Sequence, residues 1–150
     1  LLRKYYPNVA LTTDIIVGFP GETEEDFNDT LDVVNECKFD SAFTFIFSPR
    51  IGTPAAKMKD DVSLETKNER LQKLNELINK YSKEANDRYL NKTVPVLIEG
   101  YSEKDNKYLM GYTDTMKLVN VEGSKENIGQ IVNVKITDVK TWSMNGKIIK

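Results

Sequence analysis

Apolar and polar positions along this chain follow two rhythms, one after the other. Val9 to Val17 is a short run, interrupted by Thr12-Thr13-Asp14, that stops at Gly18-Phe19-Pro20-Gly21. It predicts a strand apolar on both faces towards its end, as inside a parallel sheet. Thr23 then offers an N-cap, with Asp26 as its capping-box partner and Glu24 and Glu25 suited to the positive helix end. Phe27, Leu31, Val34 and Cys37 recur at helical spacing and predict a helix of roughly three to four turns. Ser41–Phe47 reads as a second, aromatic strand. Strand, helix and strand of these lengths make a right-handed βαβ unit.

The helical rhythm continues beyond a Pro/Gly-rich loop over residues 48–55. Ser63 is expected to cap a long helix reaching about Leu90, with a packing stripe of Leu64, Leu71, Leu74, Leu77, Ile78, Tyr81, Ala85 and Tyr89. Ahead of the first strand, Leu1–Tyr6 reads as the last turns of a helix before a turn at Pro7-Asn8. From Asn91 the period shortens. Alternating segments Thr93–Ile98, Tyr108–Tyr112, Lys117–Val121, Gln130–Val139, Thr141–Met144 and Lys147–Ile149 are punctuated by glycines, and Asn145-Gly146 is a hairpin signal. About five strands in this stretch predict a small closed barrel of the OB kind. The expected organisation is α/β over residues 1–90 and all-β over residues 91–150.

Charge follows the same division. Residues 1–90 hold 12 Lys/Arg against 16 Asp/Glu, and residues 91–150 hold 9 Lys against 7 Asp/Glu. There is no His, and Cys37 is the single cysteine. Disulfides within the chain, histidine-based triads and self-contained zinc or iron–sulfur sites are thereby excluded, whereas a Ser–Lys arrangement is not. Cys37 itself reads as a half-buried packing residue, and a reducing cytoplasm is the expected compartment. No apolar run reaches the ~20 residues of a membrane span, and no signal-peptide pattern is read at the start of the sequence. Without a starting Met, the chain is expected to be a piece of a longer protein.

The chemistry concentrates at the strand ends. Gly18 and Gly21 permit close backbone approach to a ligand, but Glu22, Glu24, Glu25 and Asp26 crowd the following helix start with negative charge. A phosphate would be repelled there, and the spacing matches neither GxGxxG nor a P-loop. A cationic ligand, or one held by backbone edges, fits better. Asp14, on a strand expected to be buried, needs a partner: either a structural ion pair or hydrogen bond, or a role in a barrel lumen. Arg50, just past the second strand, could clamp a carboxylate or phosphate, as could any loop arginine. In the second half, Trp142 beside Lys140, with Lys117 and Lys135 on nearby segments, combines a stacking face with phosphate partners. Against that stand the modest charge excess and the habit of a lone Trp to lie in a core.

The stretches Leu11 to Thr23, Phe39 to Phe45, Ser48-Pro49-Arg50, Gly52 to Ala56 and Lys140-Thr141-Trp142-Ser143 occur in this order over nearly the whole chain. Together they resemble the radical-SAM methylthiotransferases. The Asp-Ser-Ala-Phe-Thr-Phe run at residues 40–45 favours the branch acting on dimethylallyladenosine in tRNA over those acting on threonylcarbamoyladenosine or a ribosomal protein. The resemblance implies the last two βα units of a partial TIM-like barrel, a long helix, and an RNA-binding TRAM domain. It implies an S-adenosylmethionine side at Asp14, Ile16, Gly18, Phe47, Ser48 and Arg50, and an RNA surface at Lys117, Lys140 and Trp142. It also implies two 4Fe-4S clusters whose cysteine ligands lie outside this chain, a sulfur donor, an electron donor, and a tRNA anticodon stem-loop as substrate. It implies further that no catalytic or metal-binding residue is expected within this chain. The expectation is therefore an inactive fragment that keeps RNA binding and whose unpaired strand edges lead to dimerisation or poor solubility. A stand-alone RNA-binding module is the rival reading.

Overall fold

The computed structural model describes residues 1–103 and 105–149, and its contacts divide the chain into two compact units. One unit is Leu11–Tyr81; the other joins Leu1–Ala10 to Ser82–Lys150.

In the unit Leu11–Tyr81, strand β1 (Thr12–Val17) and strand β2 (Ser41–Ile46) pair in parallel, with Asp14 opposite Phe43 and Ile16 opposite Phe45. Between them runs a helix, Glu24–Cys37, which we label α2 after the short opening helix α1 (Leu2–Tyr5) of the other unit. Its N-terminus carries the expected capping box: Thr23 Oγ1 accepts from Asp26 N at 3.1 Å, and Thr23 N donates to the Asp26 carboxylate at 2.8 Å. Lys38 ends the helix in the left-handed conformation. The long helix α3 (Leu64–Asp87) is capped by Ser63, whose Oγ accepts from Thr66 N at 3.1 Å. Val17, Phe27, Val34, Leu74 and Ile78 are wholly or almost wholly buried and form this unit's core. Burying a side chain of this size contributes ~1.5–3 kcal/mol.

Several expectations fail here. The strand begins at Thr12, not Val9, and it is not buried on both faces. Ile16 is 54% exposed and Phe43 70%, because α2 and α3 supply apolar partners only to the face carrying Ile15, Val17, Ala42 and Ile46. Asp14 stands on the open face, exposed, so it needs no buried counter-charge. Leu64, expected in the stripe of α3, is also exposed.

The other unit contains a closed five-stranded barrel in the order β3-β4-β5-β7-β6. Its strands are β3 (Thr93–Ser102), β4 (Asp105–Thr113), β5 (Leu118–Glu122), β6 (Ile131–Val139) and β7 (Met144–Ile148). Alternation fills the interior with Val96, Ile98, Leu109, Val119, Val121, Val134, Ile136 and Met144. The OB-like expectation holds, but its last hairpin moves. Asn145-Gly146 lies within β7, and the chain reverses over residues 140–143, where Lys140 N donates to Ser143 O at 2.8 Å. The two short segments expected at Thr141–Met144 and Lys147–Ile149 are thus one turn and one strand. Gly146 serves close approach instead of a turn. A Cβ there would stand 2.3 Å from Val134 Cγ1 and 2.8 Å from Lys135 O.

Candidate functional site

Two regions carry candidate residues, one in each unit. In Leu11–Tyr81, the carboxyl end of β1 runs into the tight loop Gly18–Glu22, where Gly18 and Gly21 both have positive φ. The loop is fastened from within. Glu22 Oε2 accepts from Gly18 N at 2.7 Å and from Arg70 Nη1 at 2.7 Å, and Arg70 Nη1 also donates to Glu22 O at 3.0 Å. Asp61 Oδ1 accepts from Gly21 N at 2.8 Å. The Arg70 and Glu22 side chains are only 7% and 10% exposed, so this pair sits in low dielectric. Behind Gly18 lies Lys67, buried, ion-paired with Asp60 at 2.6 Å and 5.7 Å from the Phe47 ring centroid. A Cβ on Gly18 would meet Lys67 Cγ at 2.3 Å.

These contacts change how the loop reads. The acidic residues do not all crowd outward: Glu22 turns inward as an acceptor for the loop's own N–H and as the partner of Arg70. Gly18 is buried and its donor is engaged, so it shapes the turn instead of offering a hydrogen bond. Asp14 and Ile16 share the open face of β1, whereas Phe47 is half-buried and packs edge-to-face on Phe19 with centroids 5.0 Å apart. Ser48 and Arg50 are exposed on the loop after β2, and Arg50 O accepts from Thr53 Oγ1 at 2.8 Å. Sequence reasoning missed Arg70 and Asp61, whose partners lie 48 and 40 residues away and leave no local pattern, and also the Lys67–Asp60 pair, which spans seven residues across the start of α3.

In the barrel unit, the three residues expected to meet RNA fall on two turns. Lys117 stands at the β4–β5 turn, where its N–H donates to Thr113 Oγ1 at 3.0 Å. Lys140 and Trp142 belong to the β6–β7 turn, and Trp142 is 59% exposed, so it is not a core residue. Of the three, Lys140 alone lines a groove of about 630 Å³ on the outer face of the barrel. The same groove takes in Tyr108 and Tyr112 of β4, Asn120 of β5 and Lys147 of β7. Sequence reasoning passed over these four. Alternation with the inward-facing Leu109, Val119 and Val121 could have placed three of them outward. Among the described residues, no cluster of His, Cys, Asp or Glu is arranged to hold a metal ion, and no helix is long and apolar enough to cross a membrane.

Residues 87–149 match the TRAM domain family. Over 149 residues, 99% of this chain, the sequence is 56% identical to a tRNA-2-methylthio-N(6)-dimethylallyladenosine synthase of Bacillus cytotoxicus. The synthases of that name from Bacillus mycoides and Bacillus thuringiensis are likewise 56% identical over 149 residues. The chain spans 29% of the length of each of these relatives.

Proposed function

We propose that this chain, 56% identical over its length to those synthases, is the carboxy-terminal part of a tRNA-modifying methylthiotransferase of their family. That enzyme would add a methylthio group to C2 of N6-dimethylallyladenosine beside the anticodon. The observation that carries this reading is that the identity runs through both units, the α/β unit as well as the barrel.

On this reading β1 and β2 are the last two strands of a radical-SAM barrel, and their open face belongs to its lumen. That face fits S-adenosylmethionine in kind: Ile16, Phe43 and Phe45 offer apolar surface for an adenine ring, and Asp14 offers a negative charge to a sulfonium. Bound there, the cofactor would supply radical and methyl-transfer chemistry. Phe47, Ser48 and Arg50 would border it from the loop after β2. Gly18 would act by letting that loop turn tightly, with Glu22 and Arg70 holding its shape.

The clusters do not fit this chain alone, since Cys37 is its single cysteine and a cubane needs three thiolates. Those ligands would come from another part of the enzyme, as would the sites for sulfur and electron donors. The isolated chain is therefore expected to form no methylthiolated product. The TRAM barrel would hold the anticodon stem-loop, in the cytoplasm, with Lys140, Lys117 and Trp142 as first candidates. The test is binding of a labelled anticodon-arm hairpin RNA by the 150-residue chain across a salt series. Affinity should fall linearly on a log–log scale, by a slope of about 0.9 or less per phosphate contact. No binding at low salt would overturn the RNA role.

A further inference from the structure

We propose that the outer groove over β4, β5 and β7 is a seat for an unstacked, amino-bearing RNA base. This rests on the reading of the barrel as an RNA-binding domain, but places the contact away from Trp142 and Lys117.

Strand register builds the groove row by row. Tyr108 stands opposite Glu122, which stands opposite Lys147; Met110 stands opposite Asn120, which stands opposite Asn145; Tyr112 stands opposite Leu118. Two tyrosines two residues apart on one strand share a face, so their rings offer adjacent apolar surfaces of the kind on which bases stack. Among the described residues, the side chains of Tyr108, Tyr112, Asn120, Glu122 and Lys147 make no hydrogen bond or ion pair. Asn145 differs, since its Nδ2 donates to Asp138 Oδ2 at 3.1 Å. Five polar side chains facing one groove thus keep their hydrogen-bonding capacity for a ligand that displaces water.

The charges are sorted across the groove. Lys140 and Lys147 lie on the β6–β7 side, whereas Glu103 and Asp105 lie at the β3–β4 turn and Glu122 on β5. A nucleotide has the matching polarity, with an anionic phosphate at one end and N–H donors on its base at the other. The backbone would then follow the lysines, and an exocyclic amine of adenine, cytosine or guanine would point to Glu122, with Asn120 on the base edge. A phosphate in the centre of the groove is disfavoured by the three carboxylates. A peptide strand finds no purchase by main-chain pairing, because the barrel is closed and its ladders are complete. Recognition must pass through side chains, and those present suit a flat, donor-bearing ring. The second and third strands of an OB-like barrel are also its usual oligonucleotide face.

The experiment measures binding of fluorescent rA6, rC6 and rU6 and of a labelled anticodon-arm hairpin to the 150-residue chain. Tyr108→Ala with Tyr112→Ala should weaken rA6 and rC6 by roughly tenfold or more with the salt slope unchanged, and Tyr108→Phe with Tyr112→Phe should retain binding. Glu122→Gln should erase the preference for rA6 and rC6 over rU6. As a measurement free of substitutions, amide NMR shifts on adding rA6 to the unsubstituted chain should concentrate on β4, β5 and β7. Hairpin binding that survives the double alanine change undiminished, or shifts confined to the Trp142 turn, would overturn the groove while leaving the RNA role standing. A chain that binds neither hairpin nor oligonucleotide would overturn both.

Discussion

The side-chain amide of Asn86 reaches the backbone of Lys140, donating from Nδ2 to its carbonyl at 2.7 Å and to that of Thr141 at 3.0 Å. Asn86 is 3% exposed and stands in the last turn of α3, so one buried amide fixes the start of the turn that displays Lys140 and Trp142. Asn86→Ala would leave both carbonyls without that donor, costing on the order of 1–3 kcal/mol. Urea denaturation should show this loss, and the steady-state anisotropy of Trp142 emission should fall as the turn loosens. An unchanged midpoint and anisotropy would show that the turn holds itself.

Gly146 gives a prediction with an internal control. Gly146→Ala would press a methyl group against Val134 Cγ1 and the backbone oxygen of Lys135. Backbone cannot swing aside, so a loss of about 1–3 kcal/mol is expected in chemical denaturation. Gly100→Ala, also in a barrel strand but with nothing within 4 Å of the added atom, should stay within about 0.5 kcal/mol. Equal effects would refute the close-approach account.

Arg70→Leu should be the most damaging single change in the unit Leu11–Tyr81. It would strand the Glu22 carboxylate, which is nearly buried and, among the described residues, otherwise accepts from Gly18 N. Removing one partner of such a pair costs about 3–5 kcal/mol. Glu24→Ala removes the other ion pair of Arg70, but Glu24 is 63% exposed and should matter by less than about 1 kcal/mol. Thermal melts of the two variants should separate clearly.

The capping box predicts an acid response. Hydrogen bonds from the Thr23 backbone and then the Thr23 hydroxyl hold the Asp26 carboxyl below its ordinary value. A group whose pKa is lower folded than unfolded stabilises fully above the unfolded value and loses that contribution as pH falls through the folded one. Asp26→Asn should therefore flatten the acid limb of the stability–pH curve, measured by denaturation at pH 2 to 6. An identical curve would contradict the assignment.

The open face of β1 and β2 should also be felt in solution. With Ile16, Phe43 and Phe45 each at least half exposed, and β1 and β2 forming a two-stranded sheet among the described residues, the 150-residue chain should self-associate. Light scattering should show a concentration-dependent rise in mass that Phe43→Ser with Phe45→Ser reduces. A monodisperse monomer at high concentration would count against it.

The sequence by itself determined the elements whose causes are local. The Thr23–Asp26 box, the Ser63 cap, the helical stripe through Leu74, Ile78 and Tyr81 and the alternation inside the barrel follow from spacings within one or two turns of chain. The tertiary structure alone decided what depends on distant partners. Asn-Gly at 145–146 is a turn signal in isolation, yet its glycine is required by a neighbouring strand. Asp14 could be judged buried or exposed only once α2 and α3 had covered the opposite face of β1. Glu22 looked like one acid among several until Arg70, 48 residues away, drew it inward. The groove came from pairing three strands in register, which brings together side chains that no local periodicity relates. Local free energies are written in adjacent residues, whereas burial, ion pairing and concavity arise from neighbours that only folding supplies.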